Sequence, residues 1–559
     1  MIYKFANDKN VKKVFLWLGS GRWGLLLGLV ALVFVVNVNA QSTHDKLIAQ
    51  GKRIYMEGVL PSGKLLQGKR AGAVQIEGQT AACETCHRRS GMGSLEGNIV
   101  VPPITGQFLF ATDENRPLAL VDARAPKNVT KPHSPYNLKS LGIAIRKGIH
   151  VSGRKMNPLM PNYDLSNSDI KALTAYLGQL SSVLSPGVGE DTLHFATIIT
   201  PDVSPKERDA MVAMMQAAFK QRNATQESYS GRMRMPLDLI PRKLRNWQLA
   251  VWDLKGTSET WAAQLTEKYR KEPVFAVISG LSKSTWEPVH VFCQQQQLPC
   301  LLPSVALSPQ ETAFYPLYYS RGVALEADVL ANYLRNLGIK APQRLIQIFR
   351  DDEVGRGASQ ALTDAMKDSA VKLENRVLGG TEANNLAEGL KGLSSADTVM
   401  LWLRPDDLAA VSKTLSSQAP TTYVSGYLAE EKFDFIPKAW MPHVKVVYPY
   451  ELGEKRQKNG VMLKSWLKTW NLASINEAFQ SEILFNLLFL TDLTSQMLDN
   501  FYRDYMIERA EDMLSLGSNV SVYPHLSLSR GQRFASKGSY IAHFDLNGNL
   551  IAEPDWIVP

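Results

Sequence analysis

Cysteine is scarce in this 559-residue chain, with four in all, and that is too few for a disulfide-stapled scaffold. Long apolar runs are almost as rare. Only residues 25–36 and 483–490 qualify, so a multispan membrane protein is excluded. The C-terminal two thirds carries no nucleophile elbow, no phosphate-binding loop and no His-Glu zinc motif. Neither apolar nor charged residues are depleted, at 45% and 21%, which excludes a wholly disordered or collagenous chain. The length suits two to four folded domains.

A single-signed charge is also missing once the net +9 is divided along the chain. Residues 1–40 hold five basic residues and one acid, 41–185 hold 18 and 10, and 186–559 hold 39 and 42. One segment is basic and the bulk is not, so nucleic acid is not the expected partner.

At the N-terminus, Lys4, Lys9, Lys12, Lys13 and Arg22 precede the apolar run LLLGLVALVFVV, which is followed by Asn37-Val38-Asn39-Ala40. This order describes a secretory signal over residues 1–40, cleaved after Ala40, and a periplasmic destination. The alternative is an uncleaved membrane anchor from Trp23. Its roughly 16 apolar residues fall short of the ~20 that span a bilayer. Only in that case would the protein meet a membrane. The second run, 483–490, is interrupted by Asn486 and bounded by Glu482 and Asp492, and is expected to form a buried helix.

The four cysteines form two pairs. In Cys83-Glu84-Thr85-Cys86-His87, thiols at i and i+3 are followed at once by an imidazole. That spacing allows two thioether bonds to a haem with the histidine on the iron. A redox Cys-x-x-Cys pair or half a zinc site are the other readings, but no second Cys-x-x-Cys completes a zinc site. A single motif implies one covalently attached haem c. The other pair, Cys293 and Cys300, lies across an expected helix-to-strand turn, and an exported chain permits a disulfide there. Two buried thiols are the alternative.

Downstream, Met160-Pro161-Asn162-Tyr163 precedes the helix pattern LSNSDIKALTAYLGQL. Residues 41–183 resemble class I cytochromes c, in which such a loop supplies the sixth iron ligand. The resemblance implies an all-α domain with His87 and Met160 as axial ligands. Met156 lacks the following proline, and Met92 lies too near the attachment site. His133 and His150 lack a matching context and are expected to be exposed loop residues. Pro102 or Pro103 is expected to orient His87 through its free ring nitrogen. Gly51, opposite an aromatic residue, is expected to permit a close crossing of the terminal helices. Residues 106–136 look like an insertion. Lys69, Arg70, Arg88, Arg89, Arg146, Lys147, Arg154 and Lys155 gather in sequence around the haem-binding segments and are expected to steer an acidic redox partner.

After a linker at 184–191, unalternated apolar strands at 194–200, 247–254, 274–280, 344–349, 398–403, 421–427 and 444–450 alternate with amphipathic helices. This pattern predicts parallel sheets covered on both faces, and the length requires two lobes. Three stretches, VISGLSKSTWEPVHVFCQQQQLPCLLPS, FYPLYYSRGVALEADVLANYL and RLIQIFRDDEVGRGASQAL, resemble the type I periplasmic substrate-binding proteins of the branched-chain amino-acid receptor group. The resemblance implies an α/β two-lobed domain over 192–559 that holds a small molecule between its lobes. Ser282, Ser284, Thr285 and Ser304, in loops after strands, are candidate ligand contacts. Asp351 is a ligand group or a helix cap. The family's early Gly-Gly segment is absent, so an amino-acid ligand does not follow. The closing segment looks like an added hairpin.

The leading expectation is a periplasmic mono-haem electron carrier fused to a solute-binding-like module, and not an enzyme. The alternative is a receptor for a transporter or sensor with an accessory haem.

Overall fold

The computed structural model of the protein describes residues 43–70, 74–96, 99–117, 133–232, 245–309, 313–379, 389–515 and 521–559. The signal or anchor at 1–40 lies outside the described residues, as does the middle of the insertion, 118–132. The chain divides into two compact units, Met1–Val183 and Leu184–Pro559.

The first unit is built mainly from helices α1 (43–57), α2 (Glu84–His87), α3 (Gly106–Leu109), α4 (Leu138–Lys147) and α5 (Asn167–Gln179). Reciprocal side-chain caps start the last two. Asn137 and Ser140 cap α4, and Ser166 and Asp169 cap α5. The apolar faces of α1 and α5 meet in one core containing Ile54, Tyr55, Leu173, Tyr176 and Leu177. Gly51 sits at their crossing, where a Cβ would lie 2.1 Å from the Ala172 carbonyl oxygen and 2.7 Å from Tyr176 Cβ. Only a residue without a side chain permits that approach.

The unit is not purely helical. Strands β1 (Gln67–Lys69), β2 (Gln75–Glu77) and β5 (Asn162–Tyr163) form an antiparallel sheet in the order β2-β1-β5, and β3 (Ser94–Glu96) pairs with β4 (Ile99–Val101). These connecting segments lack helical periodicity. Pairing satisfies backbone groups that would otherwise lie unbonded against the core.

The second unit contains two seven-stranded sheets. The first comprises β6 (Thr192–Ile199), β7 (Asn246–Asp253), β8 (Ala276–Ile278), β9 (Leu281–Ser282), β10 (Cys300–Leu301), β11 (Ser304–Val305) and β12 (Pro316–Leu317), all in parallel pairs. The second comprises β13 (Arg344–Arg350), β14 (Lys372–Leu378), β15 (Thr398–Trp402), β16 (Thr421–Ser425), β17 (Val444–Tyr448), β18 (Tyr540–Phe544) and β19 (Leu550–Ala552). Its first five strands are parallel, and the closing hairpin β18–β19 adds antiparallel to β17. The strands of both sheets are rich in fully buried Val, Ile and Leu, as expected where helices cover both faces.

Helix Glu477–Met497 carries the second apolar run into the core, and Asn486 bonds Ser279 Oγ at 2.9 Å and the Leu301 carbonyl at 3.0 Å. Among the described residues, no helix is long and apolar enough to cross a membrane. Cys293 and Cys300 form a disulfide with Cα atoms 6.2 Å apart, tying helix Glu287–Gln295 to β10.

Candidate haem and ligand sites

Cys83 precedes α2, Cys86 lies within it and His87 ends it. Both thiols are half-buried, and burial pushes Cys83 up to about 12. His87 is buried, and its Nδ1–H donates to the Pro102 carbonyl at 3.0 Å. Burial also lowers His87 to about 4, against the raising effect of that hydrogen bond, so the ring is neutral near pH 7. The tautomer with Nδ1 protonated leaves Nε2 as a lone-pair donor, the arrangement that an iron-ligating histidine requires. The contact also selects Pro102 over Pro103. Just beyond, Arg88 turns the chain with φ 66°, and its carbonyl accepts the Tyr55 hydroxyl at 2.7 Å. The residues present fit a covalently held haem: two thiols on one turn, an oriented neutral imidazole and an adjoining apolar core.

Met160 and Met156 are both half-buried against the core that Cys83 also joins. Their backbones differ. Met156 N–H is tied to the Gly148 carbonyl at 2.8 Å, whereas Met160 ends a turn closed on the Asn157 carbonyl at 3.0 Å. Three residues on, the Tyr163 hydroxyl is held well above its ordinary value by burial, and then by its closeness to Cys83 and Cys86. Tyr163, which closes the segment after Met160, therefore lies near Cys83 and Cys86. Met92 is fully buried.

His133 and His150 are not simply exposed. Their rings meet edge to face at 5.2 Å and pack around Tyr136 at 5.5 and 5.7 Å. The structure also divides the basic residues. Arg88 is buried, and Arg146 is spent on the Leu165 carbonyl at 2.6 Å and Asn167 at 2.9 Å. Lys69, Lys147, Arg154 and Lys155 remain exposed.

In the second unit, a cavity lies between the lobes, walled by the ends of β9 and β11 on one side and by residues after β15, β16 and β17 on the other. Ser282 and Ser304 line it, whereas Ser284 and Thr285 do not. The Ser282 hydroxyl donates to the Thr285 carbonyl at 3.0 Å, and Thr285 Oγ1 accepts the Glu287 amide at 3.1 Å. Side chains of this kind often satisfy neighbouring backbone instead of a ligand. Asp352 caps its helix through the Gly355 amide at 2.7 Å, and Asp351 pairs with Arg356.

Lys283 bridges the lobes, 2.8 Å from both Glu207 and Glu430. Arg404 Nη2 donates to the Lys283 carbonyl oxygen at 2.5 Å. Sequence reasoning missed these residues and the inner wall of Tyr427, Tyr450 and Glu482. The one available signal was Glu482 at the edge of an apolar run.

Residues 77–181 match the family model described as Cytochrome c. Among solved structures, a possible leucine/isoleucine/valine-binding protein from Rhodopirellula baltica is 13% identical, with 65% of this chain and 97% of that chain covered and a TM-score of 0.50. A substrate-binding periplasmic protein from Ralstonia solanacearum is 12% identical, with 65% and 100% covered and a TM-score of 0.50. At these identities the likeness is one of fold. No curated protein matches the sequence. The chain thus joins a cytochrome c domain, matched over residues 77–181, to a type I periplasmic-binding-protein fold.

Proposed function

We propose that the protein is an exported electron carrier with one c-type haem, attached through Cys83 and Cys86 and ligated by His87 and Met160, fused to a module that binds a small molecule. The observation that carries the haem assignment is the His87 Nδ1–Pro102 contact at 3.0 Å, one turn from the thiols of Cys83 and Cys86. The haem supplies one-electron chemistry. Held by His87 and Met160 and covered by the α1–α5 core, it would serve outer-sphere electron transfer rather than substrate binding at the iron. Exposed Lys69, Lys147, Arg154 and Lys155 support docking to an acidic redox partner, with association that weakens as salt rises.

The fold and the cavity between the lobes support ligand capture by closure. The reading as a receptor for a transporter or sensor, with an accessory haem, rests on the same cavity. Native mass spectrometry of the exported protein tests the proposal. The expected mass is that of a chain beginning at Gln41 with one haem. A haem-free chain, or two haems, overturns the proposal.

A further inference from the structure

The cavity between the lobes contains a buried carboxylate that feels the Lys283 charge but makes no direct ion pair among the described residues. Glu482, on helix Glu477–Met497, is buried; its Oε1 accepts the Tyr523 hydroxyl at 2.7 Å, and Ser304 lies beside it. The other acids of the wall each have a cation. Glu207 and Glu430 share Lys283, and Glu431 meets Arg456 at 2.7 Å. Glu482 forms no ion pair among the described residues. A buried carboxylate in this state is costly to ionise, and burial pushes Glu482 up to about 7.

Aromatic rings surround the same group. Tyr523 stacks on Tyr319 at 5.3 Å and meets Tyr450 at 5.3 Å, and Tyr450 meets Tyr427 at 6.4 Å. Tyr427 and Tyr450 reach the cavity, where about 40 Å³ remains, room for a group of a few heavy atoms. A carboxylate set among aromatic faces is the environment that attracts an organic cation. Of the wall's cations, Lys283 is held by two carboxylates, while Arg404, which forms no ion pair among the described residues, donates to the Lys283 backbone.

We propose that the cavity receives the head group of a small organic ammonium ion, with its charge against Glu482 and its substituents on Tyr427 and Tyr450. This rests on reading the second unit as a ligand-binding module. Isothermal titration of the full-length holoprotein with choline, ethanolamine, L-leucine and glycerol tests it. Choline or ethanolamine is expected to bind at least tenfold more tightly than leucine. Glu482→Gln should weaken that binding at least tenfold while the haem spectrum stays unchanged. Tyr427→Leu, which removes a ring but no charge, should weaken it as well and serves if Glu482→Gln misfolds. If leucine or glycerol binds as tightly as the amines, or if neither substitution affects amine binding, the ammonium assignment falls and the ligand-binding reading stands. If none of the four compounds binds, and native mass spectrometry finds no copurified ligand, both fall.

Discussion

Gly51→Ala sets two effects of known size against each other. Alanine in place of a mid-helix glycine gains about 1 kcal/mol in helix propensity. The added Cβ, however, would sit 2.1 Å from the Ala172 carbonyl oxygen, 2.7 Å from its carbon and 2.7 Å from Tyr176 Cβ. An ordinary C···O contact is ~3.3 Å, so α1 and α5 must separate by roughly 1 Å. The obstacles are backbone and a Cβ, which no rotamer change can move. Overpacking of this kind costs about 1–3 kcal/mol or more, and forcing two packed helices apart belongs at the upper end. The expected net result is destabilisation of about 1–2 kcal/mol. Gly142→Ala on α4 is the control, because its Cβ would meet no backbone, only Arg146 Nη1 at 3.3 Å and Ile170 Cγ2 at 3.7 Å. That variant should be neutral or slightly more stable. Guanidinium unfolding followed through haem absorbance reads both. A Gly51→Ala protein that gains stability to the same extent as Gly142→Ala would refute the close crossing.

Other perturbations reach the second unit. Replacing Cys293 and Cys300 by Ser should cost about 2 kcal/mol in urea unfolding, the loop-closure value for a separation of 7 residues. Glu326 is pushed up to about 8 by burial, against the lowering effect of Ser425 and the Tyr427 amide, whose N–H it accepts at 2.9 Å. Because its folded pKa lies above its unfolded value, its contribution to stability falls as pH rises from about 4.5 to about 8 and is level beyond. Subtracting the stability of Glu326→Gln from that of wild type at each pH should isolate that slope. A flat difference would contradict it. Lys283→Met removes the cation shared by Glu207 and Glu430, so the lobes should open and small-angle scattering should show a larger radius of gyration. An unchanged radius would remove the bridge as a closing element.

Much of this molecule is legible in its sequence wherever the signal is contiguous. Cys83 to His87 lie within five residues, the capping pair Ser166–Asp169 marks the start of α5, and seven apolar strands carry their own pattern. Legibility fails where structure depends on partners remote in sequence. Strand Lys372–Leu378 is half-exposed and charged at the edge of its sheet, so it lacks the apolar run of a central strand. The choice of Pro102 depends on which carbonyl faces a histidine 15 residues earlier. The cavity between the lobes draws Ser304, Tyr427, Tyr450 and Glu482 from four separated segments. Of the serines and threonine chosen from their loops, Thr285 is spent on the amide of its own helix start and Ser282 on a neighbouring carbonyl.

The central claim is a haem iron held by His87 and Met160. Absorption spectroscopy of the oxidised protein, with Met160→Ala and Met156→Ala alongside, tests it most directly. The methionine–iron charge-transfer band should be present in wild type and in Met156→Ala and absent in Met160→Ala, and only the last should bind carbon monoxide rapidly once reduced. Rapid carbon monoxide binding by the reduced wild-type protein, or loss of the band in Met156→Ala alone, would contradict the account.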